Sequence, residues 1–395
     1  MPTTATPSAV ARFLADHFDD HQALRRDIHA HPELGFEETR TAALVEERLR
    51  AAGFEVTTGI ARTGMVATLK RGEGPAIGIR ADMDALPMDE QTNLPHASKV
   101  AGKMHACGHD GHTVSLLATA EALAAEGNFS GTVHLIFQPA EEGLAGGAKM
   151  VEEGLFERFP CDRIFGFHNE PRMMLGQAAT RSGPTMASAD EFRVTFTGKG
   201  GHAAVPHMAK DSALALSELV VALQQLVSRR IDPLHSAVVS VTQIHVGSAH
   251  NVIAGDGWIG GTVRCLVPSD RKVLEEGIRS IAQGHADAAG VEMTFEWSGG
   301  YPPLVNDTAA VADVAVALSS DAAPVTYSEA TPIMAGEDFA FMLQEAPGAY
   351  VFFGMSEEGA PSPMVHDPAY DFNDKLIPIV AESMVALVEA ELPAK

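Results

Sequence analysis

Cysteine is scarce, with Cys107, Cys161 and Cys265 the only three in 395 residues. An odd and thinly spread set builds no disulfide framework, and it suits a reducing compartment. Basic residues are outnumbered, 28 Lys and Arg against 52 Asp and Glu, for a formal charge of −24. Phosphate binding needs clustered cations, so a nucleic-acid partner is excluded, and an anionic membrane surface would repel the chain. No apolar run approaches the length of a membrane span. The opening residues, Met-Pro-Thr-Thr-Ala-Thr-Pro, lack a basic region followed by an apolar stretch, so no signal peptide is expected. These absences point to a cytoplasmic protein. Internal repeats and low-complexity tracts are missing as well.

What is there suits a globular protein of two or three domains: 46% apolar residues, 36 Gly, and a length that supports an ordinary core without disulfides. Residues 9 to 52 read as helical, with Pro32 dividing them into two helices. Short apolar runs follow at Met65–Leu69, Ala76–Arg80 and Thr132–Phe137, with a helix over about 111–125 between the last two. Strands alternating with helices predict an α/β fold, a layered domain around a mostly parallel sheet. From Asp190 the rhythm changes to strand 191–197, helix 212–228, strands 237–246 and 258–267, helix 271–288 and strand 292–297. That βαββαβ order predicts an inserted ferredoxin-like domain over 188–297, with 1–187 and 298–395 forming the other.

Four segments carry chemistry. In Met104-His105-Ala106-Cys107-Gly108-His109-Asp110-Gly111-His112, a thiol and an imidazole two residues apart can turn toward one point just before a helix. A helix N-terminus favours the thiolate, which binds metal or attacks carbon. The bland alternative is a buried cysteine beside turn histidines. The strand ending in Gln138-Pro139-Ala140-Glu141-Glu142 sets two adjacent carboxylates where open α/β sheets place ligands. Their side chains diverge, so one can ligate metal while the other faces a reacting water. The glycines beyond are no phosphate loop, because no Gly-Lys-Ser/Thr follows. His168 ends one apolar run, and His366 opens the polar stretch His366-Asp367-Pro368. Cys, His and Glu at the ends of apolar elements are donors that borderline divalent metals prefer.

The combination resembles the metal-dependent aminoacylase and carboxypeptidase family. It is most similar to the branch of hippurate hydrolases, N-acyl-amino-acid amidohydrolases and auxin-conjugate hydrolases. The likeness covers nearly the whole chain: Arg26-Asp27-Ile28-His29-Ala30-His31-Pro32-Glu33-Leu34, Arg80-Ala81-Asp82-Met83-Asp84-Ala85-Leu86-Pro87, Cys-Gly-His-Asp-Gly-His, Gln-Pro-Ala-Glu-Glu, Gly-Lys-Gly-Gly-His and Gly-Glu-Asp-Phe. It implies two divalent metal ions, zinc or manganese (cobalt or nickel also suit), bridged by Cys107. His109 and His168 would complete one set of ligands, Glu142 and His366 the other. Glu141 becomes the general base for a water whose pKa the metal draws toward neutrality, and it passes the proton on to the leaving nitrogen.

The resemblance further implies that the inserted domain is a lid and dimerisation domain. His202 would donate to the oxyanion, often across a homodimer or higher oligomer, and Asn251 and Arg264 would hold the substrate's carboxylate or carbonyl. His29, His31 and Glu33 belong to a packing helix. Asp82 and Asp84 are expected to orient ligands. Ala254-Gly255 stands where the family commonly has Pro, which predicts a looser loop. The activity implied is metal-dependent hydrolysis of the amide bond of N-acyl amino acids or similar small amides. A metallo-carboxypeptidase or dipeptidase acting on small peptides is the alternative. A hydrolase with Cys107 as nucleophile leaves the paired glutamates unexplained, and a non-catalytic metal-binding scaffold has no use for Glu141.

Overall fold

Strands whose side chains are buried on both faces run through the middle of the larger sheet. A central parallel strand must be apolar along its whole length. Val133, Leu135, Ile136 and Phe137 of Gly131–Gln138 are fully enclosed. So are Ile79 and Ala81 of Ala76–Asp82, and every residue of Gly348–Ser356 is buried. In the computed structural model, which describes residues 7–394, the eight strands lie in a fixed order. They are Glu55–Ile60, Gly64–Arg71, Gly131–Gln138, Ala76–Asp82, Arg163–Met174, Gly348–Ser356, Gln177–Thr180 and Thr326–Glu329. The third to sixth are mutually parallel, and an antiparallel hairpin closes one edge. Residues 1–6, which contain most of the segment read for a signal peptide, lie outside the described residues.

The chain forms two compact units. The larger comprises the chain up to Gly183, Val305–Thr331 and the chain from Phe341 on; the smaller is Pro184–Leu304 with Pro332–Ala340. The divisions fall a few residues from the boundaries read in the sequence. The stretch 332–340, expected in the domain of 1–187 and 298–395, packs with the smaller unit because Ile333 and Ala335 pair with Thr185 and Ala187.

In the larger unit the helix His109–Glu126 is enclosed almost all round, as a helix sandwiched between layers must be. It packs against the strand Ala76–Asp82 and the helices Phe18–Ala30 and Leu376–Glu391. Its N-cap, Gly108, has φ of 95°, and a Cβ there would stand 2.3 Å from Asn169 Oδ1. Only glycine fits such a turn. The N-terminal helical region breaks twice rather than once. Helices Ala9–Asp16 and Phe18–Ala30 meet at His17, whose φ and ψ of −105° and 3° leave the helical range, and Thr39–Ala51 follows beyond Pro32. Glu33 explains the restart, accepting from the backbone N–H of Arg40 and Thr41 at 2.9 Å each. No helix among the described residues is long and apolar enough to cross a membrane.

The smaller unit is a four-stranded antiparallel sheet in the order Ala237–Val246, Asp256–Cys265, Ala189–Thr197, Glu292–Tyr301. Alternation decides its faces. Phe192, Val194 and Phe196 point into a core with Leu216, Leu219, Leu274 and Ile278 of the helices Ser212–Leu223 and Pro268–Ala289, while Glu191 and Arg193 point outward. The order of elements is βαββαβ, with the first helical region split into Ser212–Leu223 and Gln225–Arg230. The loop at Ala254 is tied rather than loose. Gly255 O accepts from Gly198 N at 2.5 Å and Ser212 Oγ at 2.7 Å.

Candidate metal centre

Parallel strands end their pleat on one edge, and loops leaving that edge converge. Asp82 closes one strand and Gln138 its neighbour, in register across the ladder. Beyond Gln138 the chain turns through Ala140, at φ of 55°, and delivers Glu141 and Glu142. His168 lies within the next parallel strand, while Cys107 precedes the enclosed helix. His366 also sits in the left-handed region, at φ of 66°, with its N–H given to Ala106 O at 2.7 Å. Two non-glycine residues held at positive φ beside one group of carboxylates and imidazoles mark a strained, functional corner.

Two donor groups share one atom. Cys107, His109 and His168 form the first, and Cys107, Glu142 and His366 the second; within each, the donor atoms lie within 4.8 Å of one another. Cys107 Sγ is 3.3 Å from His168 Nε2, and His366 Nε2 is 3.2 Å from Glu142 Oε1. Glu141 offers an oxygen within the same range of His109 and Glu142. Buried polar atoms ordinarily find partners. Here His109 Nε2 and Glu142 Oε1 are buried without an aligned hydrogen bond, both facing the centre. A thiol, three imidazoles and a carboxylate with orphaned inward atoms suit two divalent cations, so the residues fit the group.

The surrounding hydrogen bonds prepare that donor set. His168 gives its Nδ1–H to Asn169 O at 2.6 Å, which leaves the Nε2 lone pair toward Cys107. Burial, with His112 close by, holds His168 well below the usual imidazole range, so the ring is a neutral donor. Asp84 spreads its carboxylate over three groups: His109 Nδ1 at 3.2 Å and the backbone N–H of Glu141 and Glu142 at 3.0 and 2.9 Å. One residue thus sets His109 and both glutamates together. Burial and the Glu142 carboxylate push the Cys107 thiol well above its ordinary value. Protein groups alone therefore leave the thiol protonated, and a cation is what would draw the proton off.

Asp82, His109 and His112 form another close cluster, but both nitrogens of His112 are already hydrogen-bonded, to Asp82 and to Asn169. Asp82 meets His112 Nδ1 at 2.6 Å and Arg80 Nη1 at 2.7 Å, and Arg80 Nε donates to Gln138 Oε1 at 2.8 Å. That network braces the strand ends. The sequence reading gave no role to Asn169 or Arg80, and His112 entered it only as a possible base for a Cys107 nucleophile. The two-residue spacing of Arg80, Asp82 and Asp84, which puts all three on one side of a strand end, was the available signal. The remaining candidates lie in the smaller unit. His202 is exposed and pairs in register with Val252 on a two-residue ladder. Asn251 O accepts from Ala203 N at 3.0 Å, which puts the two candidates side by side. Arg264 is half-buried on the strand Asp256–Cys265.

A family model described as Peptidase family M20/M25/M40 matches residues 78–390. The hippurate hydrolase of Campylobacter jejuni is 43% identical over 365 residues, covering 91% of this chain and 93% of that one. The Arabidopsis thaliana IAA-amino acid hydrolase ILR1-like 2 is 40% identical, covering 91% and 82%. A crystal structure of the Bacillus subtilis YXEP protein, described as a dinuclear metal binding peptidase from the M20 family, superposes with a TM-score of 0.84. It is 34% identical and covers 96% of this chain and all of that one.

Proposed function

The chain belongs to peptidase family M20/M25/M40, and from that premise we propose that it is a metal-dependent amidohydrolase that cuts N-acyl amino acids into a carboxylic acid and an amino acid. The observation that carries the reading is the pair of donor groups sharing Cys107, with the Glu141 carboxylate beside them. Cys107, His109 and His168 would hold one ion, and Cys107, Glu142 and His366 the other. Zinc or manganese is our choice of metal. Bound there, the ions supply Lewis acidity toward water and the acyl carbonyl.

The chain's own groups do the rest. Glu141, almost wholly buried, takes the proton of the attacking water on its carboxylate and delivers it to the departing nitrogen. Asp84 fixes the backbone of that glutamate, so its position does not depend on a mobile turn. A Cys107 nucleophile is the weaker reading, since burial and the Glu142 carboxylate outweigh the His109 imidazole that favours the thiolate.

To the smaller unit we assign the lid and dimerisation role, with His202 as oxyanion donor and Asn251 and Arg264 for the substrate's carboxylate or carbonyl. We also place the chain in the cytoplasm, on its cysteine usage.

The deciding experiment is a panel of benzoyl, acetyl, long-acyl and indole-acetyl amino acids with small dipeptides as competitors. Each is assayed as isolated, after chelation, and after return of zinc or manganese. Turnover of one or more N-acyl amino acids, lost with chelator and restored by metal, is expected. Preference for dipeptides would favour the carboxypeptidase alternative, and activity indifferent to complete metal removal would sink the metal reading. On the best substrate, His202→Ala should lower kcat by about 10²–10³ with a smaller change in KM, the signature of a donor aimed at developing charge. An unchanged kcat would remove His202 from the reaction.

A further inference from the structure

Arg25 contributes nothing to either donor group, yet its guanidinium has no solvent exposure at all. Its Nη1 lies 2.7 Å from Asp371 Oδ1 and 3.5 Å from Asp110 Oδ2, while Nε and Nη2 lie 2.6 and 2.5 Å from Asp374 Oδ1. Asp110 directly follows His109. Asp371 and Asp374 end the segment that begins at His366.

We propose that Arg25 is a positioning residue for the second donor group, clamping the His366 segment onto the start of the His109 helix. The inference rests on the binuclear reading above. His366 needs such help. Its side chain is half exposed, and its backbone is held by one hydrogen bond to Ala106. The aim of its ring is therefore inherited from the rest of the segment. That segment dives inward behind it: Tyr370 and Phe372 are buried, and the Phe372 ring lies where a Cβ on Gly111 would stand 2.4 Å away. The planar fork of Arg25 then joins two carboxylates of the segment to one of the helix, which a point charge cannot do.

Charge balance alone does not account for the arrangement. Arg26 also reaches Asp374, with Nη2 at 2.8 Å from Oδ2, and His29 Nδ1 lies 2.8 Å from Asp110 Oδ2. Burial opposes a charge on His29, but Asp110 outweighs it and lifts that ring to about 9, so a second cation already faces Asp110. What Arg25 adds to the packing of Phe372 is a charged link, one guanidinium reaching carboxylates on both elements.

The test strips the full chain with chelator and titrates it with Zn²⁺, reading stoichiometry by elemental analysis and stability by thermal unfolding. His366→Ala marks which binding step belongs to the second group. Arg25→Lys keeps the charge and loses the fork, and Asp371→Asn releases one anchor of the segment. Both are expected to bind the first ion like the wild type and the second about 10–100-fold more weakly, as changes behind a metal ligand do. Second-ion affinity within about twofold of wild type in both would overturn the proposal. So would equal weakening of both ions alongside a lower unfolding temperature, the mark of a structural role alone. Should Arg25→Lys fail to fold, Asp371→Asn decides between these outcomes. A wild-type protein that holds one ion would overturn the binuclear reading itself, and this inference with it.

Discussion

Glu141→Gln should cost about 10³-fold in kcat, within the 10²–10⁴ range that general acid–base groups contribute, while leaving two metal ions bound. The substitution keeps the volume of a side chain that is only 7% exposed and removes its ability to take a proton. It leaves the neighbours in place, because Asp84 grips the backbone N–H of residue 141 rather than its carboxylate. The donor groups lose no atom: neither set of three contains Glu141. Metal content by elemental analysis and kcat on the best substrate are the two readings. A variant with full metal and more than a tenth of wild-type kcat would mean that another group moves the proton. A variant that has lost metal would make Glu141 a ligand. The split between those results separates a base from a ligand, which a simple loss of activity cannot.

The layered α/β fold was legible because burial imposes patterns. Thr132–Phe137 reads as a strand buried on both faces and lies inside Gly131–Gln138, between two neighbours. The smaller unit was legible from alternation, with Phe192, Val194 and Phe196 facing inward and Glu191 and Arg193 outward. Two things were not. The stretch 332–340 joins the smaller unit through pairings between residues about 150 positions apart in sequence, and no local pattern announces such a contact. The joint at His17 is a one-residue departure inside a continuous helical periodicity, which tertiary packing decides.

At the site, residue type and family likeness named the candidate donors, but the supports behind them needed coordinates. Asp84 looks like one of two equivalent aspartates in the sequence, yet it alone holds both glutamates and His109. Arg25 reads as one basic residue of an ordinary amphipathic helix. Its burial depends on Asp371 and Asp374, nearly the whole chain away. Helical periodicity can report which face is inward; it cannot report that the inward face meets three carboxylates.

Cys107→Ala is expected to have the largest effect of any single change, because Sγ is the one atom common to both donor groups. Its removal leaves each ion two protein donors instead of three, and the loss of activity should exceed about 10³-fold as metal is lost with it. A cysteine nucleophile would also be inactivated by that change, so alanine alone does not decide the matter. Cys107→Asp does. A carboxylate offers two oxygens to a pair of divalent ions, but it cannot stand in for a thiolate attacking carbon under the same hydrogen bonds. If Cys107 bridges metals, the aspartate variant should regain bound metal and at least about tenfold more activity than the alanine variant, the order of change that ligand tuning produces. If Cys107 attacks substrate, both variants should be equally inactive, and the alanine variant should trap intact substrate. The pocket itself argues for the first outcome. Burial and the Glu142 carboxylate both push the thiol away from ionisation. A nucleophile would have to be activated against that environment, whereas a bound divalent ion supplies the opposing charge in the act of binding.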